Sequence, residues 1–216
     1  MKFNQRSFEI ARKISCEEVE GEKIHTALDE PAFEGAKLPE YATSHSAGAD
    51  FFCAEEVTIP SIWSMLFSSL GAKAEDKASK AFDSVMSSLG YERKTSDASD
   101  NKKADIVPTL VHTGIKSCMY EDEVLELYNR SSNPKKLGLV LANSVGVVDA
   151  DYYNNPDNDG EIMFAYYNFK PWSVTLKVGD KVGQGVFKKV LRPNVGLVVK
   201  NETRKGGFGS TDEEVN

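Results

Sequence analysis

Five polar clusters punctuate the chain, and each carries side chains that can act on a phosphate, a sugar or a bound water. Ser46-Ala47-Gly48-Ala49-Asp50 ends a small-residue turn in a carboxylate. Asn129-Arg130-Ser131-Ser132 joins a guanidinium to two hydroxyls, which together with backbone amides can grip a phosphate. The run from Asn143 to Tyr152 places an apolar Gly146-Val147-Val148 before two acids and an aromatic ring. It reads as a hairpin that presents Asp149 beside Tyr152, and such an Asp can take a proton from water. Gly179-Asp180-Lys181-Val182-Gly183-Gln184 makes a turn with Gln184 in the strand that follows. Near the C-terminus, Arg204-Lys205-Gly206-Gly207-Phe208-Gly209-Ser210-Thr211 combines cations, backbone amides, hydroxyls and an aromatic face, a composition suited to closing over a phosphate chain and a base. Taken singly, each cluster also reads as an ordinary turn, or in the last case as a disordered tail. Their order and spacing are the specific signal.

The bulk properties limit what these clusters can serve. The chain has 216 residues, enough for one domain or one domain with a large insertion, and its 40% hydrophobic and 27% charged residues match a soluble globular protein. A formal charge of −7 argues against nucleic acid as the ligand, because duplex binders present a basic field. A nucleotide remains compatible, since local cations and a metal ion outweigh distant surface charge. Cys16, Cys53 and Cys118 are odd in number and widely spaced, which yields neither a disulfide framework nor a zinc site. His25, His45 and His112 show no metal-ligand spacing and read as structural or surface residues. Without an apolar leader or a membrane-length apolar run, the expectation is a cytoplasmic protein with no membrane contact.

The elements that must position the clusters are mostly short strands. The first 40 residues are weakly patterned, with one strand expected around Phe8 to Ile14 and a loop near Pro31 to Pro39. Phe51 to Ala54 and Val57 to Ile59 read as strand pieces ended by Pro60. From Ile106 onward, β-rich runs at Val107–Val111, Glu123–Tyr128, Leu137–Ala142, Glu161–Phe169, Ser173–Val178 and Lys181–Val190 alternate with turn signals. Closely spaced short strands imply a sandwich or barrel. Residues 61–105 differ: Ile62, Met65, Leu66 and Leu70, then Ala78, Ala81, Phe82, Val85, Met86 and Leu89, recur at helical spacing. Two amphipathic helices are predicted there, the first capped by Ser61 and the second ended by Gly90. This segment balances its acidic and basic residues, so nothing steers it to nucleic acid. Residues 201–216 are expected to be mobile unless a ligand holds them.

In this order the five clusters resemble the five motifs of the trimeric dUTPase family, and the most telling run is GVVDADY followed by GDKVGQ and GGFGST. The resemblance runs from about Leu38 to Thr211 apart from the helical insertion, which is similar to the extra segments of phage variants. It implies a mainly β, jelly-roll-type sandwich spanning residues 1–216 as a single domain, assembled as a homotrimer with shared active sites. It also implies Mg²⁺-dependent hydrolysis of dUTP to dUMP and pyrophosphate.

Carried over residue by residue, the resemblance makes Asp149 the general base, Ser131 the group near the departing oxygen, and Gln184 a contact on the α-phosphate side. Arg130 and Ser132 would bind phosphates. Asn143 and the backbone of Gly146 to Val148 would read the uracil edge. Tyr152 would pack under the deoxyribose and leave no room for a 2'-hydroxyl. Asp50 would hold the Mg²⁺ through water. From the C-terminal arm, Phe208 would stack on uracil, while Arg204, Ser210 and Thr211 reach the terminal phosphates.

Three departures from the family pattern stand out. Arg204 sits one residue nearer the double Gly than usual, Lys181 replaces an Arg, and a polar loop from Tyr153 to Gly160 replaces the common Arg-Gly. Two rival readings remain. A dCTP deaminase would need a Glu where Ala165 stands. A dUTPase-fold protein whose insertion binds a regulatory protein partner would use residues 61–105 as its surface.

Overall fold

The computed structural model describes residues 5–19, 22–69, 80, 84, 87 and 106–195. Its strands are β1 (Ser7–Ile10), β2 (Arg12–Val19), β3 (Glu22–Pro31), β4 (Glu40–Tyr41), β5 (Ala49–Phe52), β6 (Val57–Ile59), β7 (Thr109–His112) and β8 (Ile115–Cys118). They continue with β9 (Glu123–Asn129), β10 (Leu139–Leu141), β11 (Gly146–Asp149), β12 (Met163–Asn168), β13 (Val174–Leu176) and β14 (Lys181–Lys189), and α1 (Ile62–Ser69) lies between β6 and β7. A five-stranded sheet in the order β11-β9-β14-β5-β4 faces a three-stranded sheet β10-β12-β7, and β13-β6, β1-β8 and β2-β3 form antiparallel pairs. The chain is thus a β-sandwich, as its alternating short strands predict.

Period-two side-chain alternation decides which residues enter the core. On β9, Leu125 and Leu127 are buried while Glu126 and Tyr128 stand on the outer face, where Lys188 of β14 bonds to both. The opposing sheet supplies Val111, Leu139, Leu141, Phe164 and Tyr166, and Phe51 meets Phe164 across the interior with ring centroids 5.6 Å apart. Phe8 closes one side, 5.3 Å from Phe51 and 5.2 Å from Phe187.

Gly183 shows how tightly the sheets approach. A Cβ built there would lie 2.0 Å from Cε1 of Phe164, a buried ring with no free volume to retreat into. Gly183→Ala is expected to destabilise the fold by about 1–3 kcal/mol. A urea midpoint unchanged from wild type would show that the interface yields.

The N-terminal region corrects one expectation. The single strand anticipated around Phe8 to Ile14 is two strands broken at Ala11. Ala11 is buried, with its N–H on the Gly114 carbonyl and its own carbonyl receiving Ala32 N–H, so the chain leaves β1's partner there and enters the β2–β3 hairpin. The strand β8 falls outside the β-rich runs read from the sequence, and it carries a lysine, Lys116, among its residues. All four of its residues are buried, and the lysine finds a carboxylate 43 residues away.

The insertion begins as its capping signal predicts: Ser61 Oγ accepts the Trp63 N–H at 3.2 Å and donates to the Lys170 carbonyl at 2.6 Å. Lys80, Ser84 and Ser87 are helical and exposed, at the spacing of one polar helix face. Gly90 and the apolar set from Ala81 to Leu89 lie outside the described residues. No described helix is long and apolar enough to cross a membrane.

Of the histidines, His112 is tied into the fold. His112 shares its Nδ1 with the buried Glu161 carboxylate at 3.0 Å, and Glu161 also accepts the Gly114 N–H. The bond to Glu161 raises the His112 pKa above its ordinary value against the opposing effect of burial. This contact therefore stabilises the fold fully below the ordinary histidine pKa and is lost as pH rises through the higher folded value.

Candidate active site

Asp50 and Gln184 sit opposite each other because β5 and β14 pair in that register. Gly48 makes the room: a Cβ there would meet Gln184 Oε1 at 3.0 Å. Asp50 Oδ2 accepts from Lys181 Nζ at 2.7 Å, and Arg130 Nε lies 3.7 Å from Oδ1. Arg130 leaves the end of β9 directly after Asn129, which pairs with Gly183. Ser131 is exposed and Ser132 half-buried in the turn that follows. This turn is pinned by Asn133, a residue the sequence reading passed over. Asn133 is buried and donates to the Val182 carbonyl at 2.7 Å, tying the Arg130–Ser132 turn to the strand that carries Gln184. Asp50, Arg130, Ser131, Ser132 and Gln184 thus share one end of the five-stranded sheet, with Lys181 as an additional cation.

The hairpin residues lie on the same sheet. In β11 the alternation buries Gly146 and Val148 and exposes Val147 and Asp149, so Val148 packs in the core and only its backbone is offered to a ligand. The Asn143 amide nitrogen is 3.4 Å from the Cβ position of Gly146, so the two residues form one surface. Tyr152 ends a short 3-10 turn immediately after Asp149, with its ring packed on the core.

The register separates the two groups. Asp149 pairs with Val124, whereas Gln184 pairs with Tyr128 on the same strand β9. Four residues along a strand and two strand spacings across place Asp149 roughly 14 Å along and roughly 10 Å sideways from Gln184. Ser131 is farther still. Reacting groups must approach to about 3–3.5 Å, so Asp149 cannot act on a phosphate held by its own chain's Ser131 and Gln184.

The donor chemistry fits a hard divalent cation. Among the described residues no three His, Cys, Asp or Glu side chains gather into a cage. Asp50 instead offers one carboxylate, opposite Gln184 in the β5–β14 register and paired with Lys181, and Mg²⁺ commonly binds through one or two carboxylates, waters and substrate phosphates.

A family model for dUTPase matches residues 103–212. The deoxyuridine 5'-triphosphate nucleotidohydrolase of Lactococcus lactis is 45% identical over 124 residues, which cover 57% of this chain and 81% of that protein. The chain belongs to the dUTPase family. A second dUTPase relative, from Hydrogenobaculum, is 28% identical over 181 residues and spans 82% of this chain and 92% of its own length. The crystal structure of the Streptococcus mutans dUTPase superposes with a TM-score of 0.52 at 34% identity, covering 75% of this chain and 95% of that one. The dUTPase of Staphylococcus bacteriophage 80alpha shares the fold at 16% identity, with a TM-score of 0.51 over 96% of this chain and 98% of that one.

This chain is accordingly a dUTP diphosphatase. Ala165, the position where the deaminase reading needs an acid, is buried in β12 beside Leu110. Arg204, Phe208, Ser210 and Thr211 lie outside the described residues. Where the dUTPase pattern has a short Arg-Gly return, the loop from Tyr153 to Gly160 folds over a buried ion cluster. Asp159 accepts from Lys116 Nζ at 2.7 Å and from Arg12 N at 2.8 Å and Nη2 at 2.9 Å. Burial alone would raise the Asp159 carboxyl, but the donors from Arg12 and Lys116 outweigh it and hold it below the ordinary carboxylate range. No sequence signal linked these residues, because neither charge has a partner nearby in the chain.

Proposed function

We propose that the enzyme cleaves dUTP at the α-phosphorus to give dUMP and pyrophosphate, with Mg²⁺, in a site completed between subunits of a homotrimer. The separation of Asp149 from Gln184 along β9 carries this reading, because chemistry with both residues requires a second chain to bring its own hairpin to the phosphate cluster. Each chain then contributes Arg130, Ser131, Ser132 and Gln184 to one site, and Asn143, Gly146, Val148, Asp149 and Tyr152 to another.

In this mechanism the Gly146–Val148 backbone and Asn143 hold the uracil edge, and Tyr152 underlies the deoxyribose. Asp149 orients a water and takes its proton as the oxygen attacks. Ser131 and Arg130 meet the charge that passes to the leaving pyrophosphate, and Gln184 holds the α-phosphate side. Asp50 would hold Mg²⁺ through water, and the ion would supply neutralisation of the negative charge on the triphosphate. A dUTPase from phage phi11 is described as coordinating a structural Mg(II) ion, a precedent within the fold. Residues 201–216 supply Phe208, Arg204, Ser210 and Thr211 as an arm over the nucleotide.

The insertion 61–105 is an accessory of this single domain, since none of the named site residues falls in it. A role in contacting a protein partner is favoured by Trp63, Phe169 and Trp172, exposed together where α1 leaves the sandwich.

Phosphorus NMR of products from dUTP, dCTP, dTTP and UTP, with Mg²⁺ and after chelation, tests the reaction, and sedimentation tests the assembly. Pyrophosphate and dUMP from dUTP alone, lost on chelation and made by a trimer, are expected. Release of dUDP and phosphate, or a monomer at micromolar concentration, would overturn the reading.

A further inference from the structure

The loop from Tyr153 to Gly160 folds back on Tyr152 and touches both its hydroxyl and its backbone carbonyl. Asn158 Nδ2 donates to the Tyr152 hydroxyl at 2.8 Å. The amide is held in this orientation, because its Oδ1 accepts the Gly160 N–H at 3.1 Å and its Nδ2 also reaches the Glu161 carbonyl at 3.3 Å. A flipped amide would set an oxygen against a carbonyl and leave a donor facing an N–H. The Tyr152 carbonyl in turn accepts the Asn155 N–H at 3.1 Å.

The loop cannot easily move. Asn154 and Asp159 both adopt a φ of 57° and Gly160 a φ of 80°, conformations that persist only where the surroundings hold them. Gly160 has no alternative, since a Cβ there would lie 2.5 Å from the Tyr152 carbonyl oxygen. The holding comes from Lys116, which bonds Asn154 Oδ1 and Asp159 Oδ2 at 2.7 Å each, and from Tyr153, whose hydroxyl donates to Glu9 at 2.7 Å. Lys116 and Asp159 are 3% and 2% exposed, so this is a buried ion pair whose disruption would strand a charge.

We propose that Asn158 is a specificity-determining positioning residue: its amide, in the loop held by the Lys116–Asp159 ion pair, fixes the Tyr152 ring against which the sugar is judged. The inference rests on the reading of Tyr152 as the floor under the deoxyribose. An apolar pocket rejects a hydroxyl that adds no bulk only weakly, by about 10²-fold, so stronger rejection of a 2'-hydroxyl has to come from shape. That rejection requires a floor that does not retreat. The core holds the body of the ring, and Asn158 holds its tip.

The test is a double-mutant cycle on the ratio of kcat/KM for UTP to that for dUTP in the full-length enzyme. Asn158→Ala and Tyr152→Phe both remove the Asn158–Tyr152 bond, and Asn158→Ala also loses the Gly160 and Glu161 contacts, so Tyr152→Phe is expected to raise the ratio by about 10-fold, Asn158→Ala by at least as much, and the double variant by no more than Asn158→Ala alone. Turnover of dUTP should change less than the ratio, which separates lost sugar selection from general loss of structure. A folded Asn158→Ala enzyme with the wild-type ratio, or effects that multiply in the double variant, would overturn the proposal. Should Asn158→Ala fail to fold, an unchanged ratio in Tyr152→Phe overturns it equally. Tyr152→Ala tells this failure apart from that of the underlying reading. Sugar selection retained in Tyr152→Ala removes Tyr152 from sugar recognition and the proposal with it. Selection lost there but intact in Asn158→Ala removes Asn158 alone.

Discussion

Replacing Asp149 with Asn is expected to leave dUTP binding within a few-fold of wild type and to lower kcat by at least ~10²-fold, the low end for a positioned general base. The side chain stands on the outer face of β11, where the strand's alternation keeps it away from the core that Val148 enters. Asn has nearly the same shape and still accepts a hydrogen bond, but it cannot take a proton. The substitution therefore isolates proton transfer from packing and from orientation of the water. Steady-state kinetics together with binding of a non-hydrolysable dUTP analogue separate the two effects. Turnover within a few-fold of wild type would remove Asp149 from the mechanism.

Mixing two inactive variants is expected to restore activity. If Asp149 and Ser131 in one site come from different chains, a heterotrimer of Asp149→Asn and Ser131→Ala subunits contains sites in which both residues are intact. Random assembly of equal amounts makes about a quarter of the sites wild type, so turnover should recover to about a quarter of the wild-type value from parents that are each nearly inactive. Unfolding and refolding the mixture, with each parent refolded alone as the control, provides the measurement. No recovery in a mixture shown by mass to contain heterotrimers would place both residues in the same site of one chain. That outcome conflicts with the register of β11 and β14 on β9, which holds the two groups apart.

The sequence alone was enough to read the family and the class of fold. Asp149 beside Tyr152, Arg130 with its two serines, and Gln184 after a Gly-Asp turn are local patterns, and each sits where its neighbours predict a strand end or a hairpin. Apart from β8, the strands from Thr109 onward were legible for the same reason: alternation is a property of adjacent residues, and Pro, Gly and Asp mark its ends. Ser61 was readable as a helix cap because its partner, Trp63, is two residues away.

What stayed hidden depends on residues far apart in the chain. Lys116 has no signal in its neighbours, and its burial is tolerable only because folding brings Asp159 and Asn154 to it. Asn133 and Asn158 are polar residues beside prolines or acids, indistinguishable in sequence from exposed loop positions. Their roles come from the Val182 carbonyl and the Tyr152 hydroxyl, contacts made by folding. Likewise, nothing in the order of the motifs tells how far apart they lie. Only the antiparallel pairing of β11 and β14 on either side of β9 decides that Asp149 and Gln184 stand at different levels of the sheet, because strand register is set by which faces are buried across the whole sandwich.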